Sequence, residues 1–461
     1  MAFRRGATQP FVSTCFLWLW LGVPLAFAQT PSASLAEPLF VHADFPGGNI
    51  LVEEIKGDAV WLRQDLRNAS QSWFYWMFSV KGAQSRTIDF HFTGGDVFGM
   101  RGPAASCDGG RNWFWLGAEA CRGRSFRYAF GPHEETIQFG AVIPYVERDL
   151  DLFLARYETN NALKIGTLGH TPKGRPVEWL RAGRVDGQAP YRMLVTCRHY
   201  ASETMASFAV EGLLTEVLGT NEAGLWFREN VEVCLVPFVD KDGVETGEQG
   251  RWRYPYEFWL DYGSESRYTA ARSLRARFDP TNGPAVQLAL DLQCPSLRDD
   301  ALRLASSANL HPGLGTNVAR FSELLEQRQQ GPLVYRRAQN HLIAPHANRT
   351  NEFGVLSSFL QWAETLPGSE VVAVVELPFA SVGSAEVNAD SARAFGQDLA
   401  TAARAYFGGR IDPTLTGRAR PARLYRRPAN PEAARRPQTN APAIQAPEPA
   451  PKRATNAIPN T

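Results

Sequence analysis

Residues 192–197, 231–239, 286–292 and 370–376 are short runs that are apolar on both faces, and stretches of helical periodicity lie between them. In 203–218, Met205, Phe208, Ala209, Leu213 and Val217 recur at helical spacing, and 318–328 and 388–407 read as further helices. Strands buried on both sides and alternating with helices require a mostly parallel sheet covered on each face, a layered α/β/α domain. From 39 to 138 the texture differs. Aromatic and β-branched runs at 49–55, 73–80, 87–92, 126–130 and 135–139, punctuated by Gly, Asp and Asn, predict an antiparallel β-sandwich. No repeat of fixed period is visible.

Both ends fall outside these units. Arg4 and Arg5 precede an apolar run that closes in Ala26-Phe27-Ala28, the pattern of a signal peptide over residues 1–28. It predicts export, to the periplasm or as a secreted protein. Residues 418–461 hold nine Pro and nine Lys or Arg against two Glu, too little apolar surface to offset ordering entropy. A disordered Pro/Ala/Arg-rich tail over 410–461 is expected, either solvated with no partner or a tether to an acidic polymer or surface, which its charge would suit. The sandwich is then assigned to 29–140 and the α/β domain to 141–409. Removing Cys15 leaves five of the six cysteines; Cys107 and Cys121 are near enough in sequence to staple a hairpin, and free thiols are the other reading.

Charge narrows the function classes. With 48 Lys and Arg against 47 Asp and Glu, the chain has no bulk field for a nucleic acid, and past the leader no run is long and apolar enough to span a membrane. In open α/β sheets, ligands sit beyond the carboxyl ends of the strands. Those positions read Arg198-His199-Tyr200-Ala201-Ser202-Glu203-Thr204, then Asp240-Lys241-Asp242-Gly243 with Glu257-Phe258-Trp259-Leu260-Asp261-Tyr262, then Gln293-Cys294-Pro295, and finally Glu376-Leu377-Pro378.

This order and spacing resembles the zinc carboxypeptidase (metallocarboxypeptidase) family, in its cytosolic-carboxypeptidase-like branch, over nearly the whole chain up to about residue 409. The resemblance implies zinc held by His, Glu and His, a carboxylate base, and an Asn-Arg clamp for the free carboxylate of a peptide. It also implies that most of these are replaced here. Tyr200 and Gln293 stand at the two His positions, Glu203 keeps its ligand position, and Trp259 and Leu260 stand at the clamp. Glu376 keeps the base position, Glu257 an acidic supporting position, and Arg251 is the candidate for a remaining carboxylate-facing arginine.

A phenol and an amide oxygen are poor zinc donors beside two imidazoles, and Leu260 offers no charge-assisted pair. The expectation is a pseudopeptidase with no cofactor that holds a peptide, glycopeptide or protein partner in the old cleft. The alternative is a working zinc peptidase in which His199 turns inward on a bulge and His311, His341 or His346 supplies a second ligand. The aromatic cluster Trp252, Tyr254, Tyr256, Phe258, Trp259 and Tyr262 reads either as core or as a lining of that cleft.

Overall fold

The computed structural model describes residues 38–71, 73–281, 283–344, 350–351 and 354–411, so the leader, most of the tail and His346 lie outside the described residues. The predicted α/β domain is built on an eight-stranded mixed sheet. Its strands, in spatial order, are Leu163–His170, Pro176–Gly183, Val231–Val236, Tyr191–Cys197, Leu288–Gln293, Val371–Glu376, Arg303–Ser307 and His341–Ile343. The four at the centre, from Val231–Val236 to Val371–Glu376, pair in parallel. They are the four apolar runs of the sequence, with bounds shifted by one to three residues.

Alternation along these strands assigns each side chain to one of two cores. Met193, Val195, Val233, Leu235, Leu288, Leu290, Val371 and Ala373 face helices Thr204–Val217, Pro312–Arg328 and Ala389–Ile411. Leu194, Cys234, Val236, Ala289, Val372 and Val374 face the other way, toward Thr269–Arg277 and Phe359–Ala363. On the first face two helices approach backbone to backbone. A Cβ at Gly212 would lie 1.8 Å from the Arg393 carbonyl oxygen, and one at Gly396 would lie 1.9 Å from that of Ala209. The last helix extends to Ile411, two residues into the stretch assigned to the tail.

The N-terminal unit is a sandwich of two five-stranded sheets. Seven of its eight described strand pairings are antiparallel, but Ala59–Arg63 and Thr87–Phe92 run parallel, a departure from the all-antiparallel expectation. Ala59–Arg63 itself was not anticipated. Trp76, Phe78, Phe90, Phe126 and Phe139 fill the space between the sheets, with Phe90 stacked on Phe126 at 4.7 Å. The sandwich packs on the α/β unit through one continuous apolar cluster, in which Phe74 meets Phe379 edge-on at 5.0 Å. Trp115 Nε1 donates to the Val387 carbonyl, and Arg101 Nε to that of Ala380. All five described cysteines are free; Cys107 is exposed and Cys121 half-buried, so neither the staple nor a set of wholly buried thiols is present.

One buried acid ties the last helix to the turn before it. Asp398 accepts hydrogen bonds from the Gln330 and Gly331 amides at 2.7 and 3.0 Å. Burial pushes its carboxyl up to about 6, against the pull of those two donors. An acid with a raised folded pKa contributes stability in full below its unfolded value and loses it as pH rises through the folded value. Between about pH 4 and about pH 8 this group should remove up to about 3 kcal/mol from the free energy of unfolding. Urea unfolding at both pH values should therefore show a smaller decline for Asp398→Asn than for the natural chain. Equal declines would mean that this carboxyl titrates normally.

Candidate functional site

Strand Tyr191–Cys197 ends in a turn that a buried guanidinium fixes. Arg198 takes a left-handed backbone, φ 60°, and its Nη1 donates to the Tyr145 carbonyl at 2.9 Å and to Ser207 Oγ at 3.0 Å, while Nε donates to the Ala201 carbonyl. The turn delivers Glu203 as the residue that opens helix Thr204–Val217. Its carboxyl does not cap that helix. Both oxygens are buried without a well-formed hydrogen bond, and the nearest cation is Arg251, Nη2 lying 3.8 Å from Oε1. Burial holds the carboxyl well above the usual range, the Arg251 charge pulling it partly back.

Tyr200 is buried too. Its hydroxyl donates to Glu257 Oε2 at 2.9 Å, and the Arg251 guanidinium lies over its ring at 4.0 Å. Arg251 also faces the ring of Trp73 at 5.3 Å, so the sandwich supplies one wall. Gly250 makes this approach feasible: at φ 80° it sits where a Cβ would meet the Ala201 nitrogen at 2.6 Å. Gln249, fully buried, holds the same loop to the sandwich by donating to the Tyr75 carbonyl and accepting from the Tyr75 amide. Arg253, two residues on, is turned away and paired with Asp240 and Glu248.

Gln293 and Glu376 are direct partners across the parallel strand pair, and the Leu377 amide donates to the Gln293 carbonyl. Tyr200, Glu203, Gln293 and Glu376 thus stand at the carboxyl edge of adjacent strands, as the reading of strand ends expected. Gln293 Nε2 is used internally, donating to Asp291 Oδ2 at 2.6 Å. Glu376 is flanked by Arg303 Nη1 at 3.8 Å and by His341 Nε2 at 3.6 Å. Burial raises its carboxyl above the usual range, with His341 and then Arg303 opposing.

Of the histidines weighed as substitute ligands, His199 and His311 have other partners. His199 is fully buried: Nδ1 meets Asp291 Oδ1 and Nε2 meets the Tyr262 hydroxyl, each at 2.8 Å, so the inward turn exists but ends on a carboxylate and a phenol. His311 caps helix Pro312–Arg328, accepting from the Gly313 amide. Only His341 comes to a predicted site residue, beside Glu376. At the clamp positions, Trp259 is 5% exposed and belongs to the apolar core that also holds Tyr200 and Tyr262, and Leu260 packs against it. Tyr256, Phe258 and Tyr262 are core as well, whereas Trp252 and Tyr254 are exposed, which divides the aromatic cluster between its two readings.

Sequence reasoning missed Asp291, Arg198 and Gln249. Only Asp291 carried a signal, a lone charge in an otherwise apolar strand.

The fold has well-defined relatives. Over 82% of this chain and 99% of the other, it superposes on a metallo-carboxypeptidase from Burkholderia cenocepacia with a TM-score of 0.64 at 18% identity. A metallo-carboxypeptidase from Pseudomonas aeruginosa, solved with (2-guanidinoethylmercapto)succinic acid, superposes with a TM-score of 0.63 at 21% identity over 79% of this chain and 97% of that one. The chain therefore has the metallo-carboxypeptidase fold. No family model matches the sequence. An uncharacterised protein of Zymomonas mobilis is 25% identical over 213 residues, 44% of this chain, and the match spans about half, 54%, of that relative.

A metal fits the donors here poorly. Catalytic zinc needs three protein ligands drawn from His, Cys, Asp and Glu. Among the described residues no group of three or more such side chains is placed to hold an ion, and the phenol and the amide at the two remaining positions are already hydrogen-bonded within the protein.

Proposed function

We propose that this chain is an exported pseudopeptidase of the zinc carboxypeptidase family, which binds a peptide, glycopeptide or protein partner in the old substrate cleft without cleaving it. The observation that carries this reading is the internal engagement of Tyr200 with Glu257 and of Gln293 with Asp291, at the two positions where the family places histidine ligands. Glu203 keeps its ligand position, but burial holds its carboxyl above the usual range and Arg251 faces it. Glu376, the retained base position, is flanked by two basic side chains, and the clamp positions Trp259 and Leu260 are apolar. Arg251 is the cation left to face a ligand. The leader at 1–28 directs the chain to the periplasm or outside the cell, and the basic tail at 410–461 serves as a tether to an acidic surface.

Metal analysis and hydrolysis test the reading together. Protein dialysed against micromolar zinc should retain well under one ion per chain and should leave a blocked dipeptide uncut, with or without a chelator. Stoichiometric zinc together with chelator-sensitive cleavage would replace it with a zinc peptidase whose ligands have moved.

A further inference from the structure

The centre of the site holds a charge imbalance that one residue resolves. Glu203 is 1% exposed, its carboxyl oxygens accept no well-formed hydrogen bond, and no metal-ligating set surrounds it. A carboxyl group in such a place either keeps its proton or needs a countercharge. Arg251 brings one, 3.8 Å from Glu203 Oε1. Glu257 and Glu376 also act on this guanidinium, Glu376 having Arg303 and His341 beside it as well.

Tyr200 takes part in this arrangement and is more than a lost ligand. A flat ring at position 200 gives the guanidinium a face to lie on at 4.0 Å, and the hydroxyl is anchored on Glu257 at 2.9 Å. Guanidinium over a tyrosine face is a favourable cation–π arrangement, strengthened where water is excluded. An imidazole at this position would offer a smaller face and no donor reaching Glu257 in the same geometry.

We propose that Arg251 is the resident cation of this centre, an organic countercharge for Glu203 standing where the family resemblance puts a zinc ligand set. On this view Tyr200 and Arg251 work as a pair: the tyrosine ring seats the guanidinium, and the guanidinium faces the glutamate. Returning histidines to the ligand positions then restores only weak metal binding while Arg251 stays, because an incoming cation must compete with it for the same carboxylate.

The inference rests on the catalytically silent reading of the site, and its test separates the two. Zinc affinity is measured by titration with a competing chromophoric chelator for the natural chain, for Tyr200→His/Gln293→His, and for that pair with Arg251→Met added. The natural chain should bind none at the site, and adding Arg251→Met to the histidine pair should tighten zinc at least about tenfold, a conservative figure for removing a unit charge within about 4 Å of the shared carboxylate. Equal affinity with and without Arg251→Met overturns this inference and leaves the silent reading standing. Stoichiometric zinc in the natural chain overturns both.

A second arm needs no metal. Urea unfolding is compared for Arg251→Met, Glu203→Gln and the double variant. If the two charges compensate each other, the double variant should be more stable than the sum of the single losses allows. Additive losses would overturn the pairing. Should Arg251→Met alone fail to fold, recovery of the fold in the double variant supports the pairing, and failure of both overturns it.

Discussion

Asp291→Ala should cost the folded protein on the order of 3–5 kcal/mol, a large part of the stability of an ordinary domain. Asp291 is fully buried at the middle of the sheet and accepts three hydrogen bonds: Oδ1 from Thr196 at 2.9 Å and from His199 at 2.8 Å, Oδ2 from Gln293 at 2.6 Å. A carboxylate oxygen accepts, so the Asp291–His199 bond carries its proton on His199 Nδ1, and the same ring meets the Tyr262 hydroxyl through Nε2. Alanine would strand a hydroxyl, an imidazole N–H and an amide where no water reaches them. Asp291→Asn keeps the shape but turns an NH2 toward one of the donors, and should lose about half as much. Equilibrium urea unfolding near neutral pH measures both. A loss below about 1 kcal/mol for Asp291→Ala would show that these bonds are not made in solution.

The same network explains what sequence reading could and could not supply at this site. The strand ends were legible because parallel strands buried on both faces are continuous apolar words, and each ends where a polar residue must face the open edge. Tyr200, Glu203, Gln293 and Glu376 were placed together on that logic. Helix Thr204–Val217 was legible from its periodicity, but Thr269–Arg277 was not: its buried face is two alanines and Leu274, and Arg272, Arg275 and Arg277 hide the pattern. Strand Ala59–Arg63 was missed although it forms a hairpin with Leu51–Lys56 across Gly57-Asp58; only its second partner, Thr87–Phe92, lies well away along the chain. The turn after residue 197 depends on a left-handed arginine, a backbone state that no property of an arginine side chain announces. Arg251 reaches Tyr200 only because Gly250 permits a close approach and Gln249 binds the loop to a different sheet, contacts that no local window contains.

Putting the clamp back should damage the fold before it yields activity. Trp259 lies in the apolar core beside Tyr262, on which Trp362 stacks at 5.0 Å, so Trp259→Asn removes a large buried side chain and leaves a polar one in its place. Losses for comparable deletions are about 3–5 kcal/mol, and an amide without partners adds to them. Leu260 cannot swing aside to spare the core, because its amide donates to the Glu257 carbonyl at 3.1 Å and its carbonyl accepts from the Ser357 amide at 3.1 Å. An arginine there must either bury its charge against that core or displace the strand bridge between Asp261 and Ser357. Trp259→Asn/Leu260→Arg should therefore unfold at markedly lower urea than Tyr200→His/Gln293→His, whose changes sit at strand ends. The quadruple variant should show no chelator-sensitive hydrolysis of a blocked dipeptide. A folded quadruple variant that cleaves it, with activity removed by Glu376→Gln, would mean that the apolar clamp is a surface lining and not part of the core. The packing of Trp259 in the core and of Leu260 against it argues against that outcome.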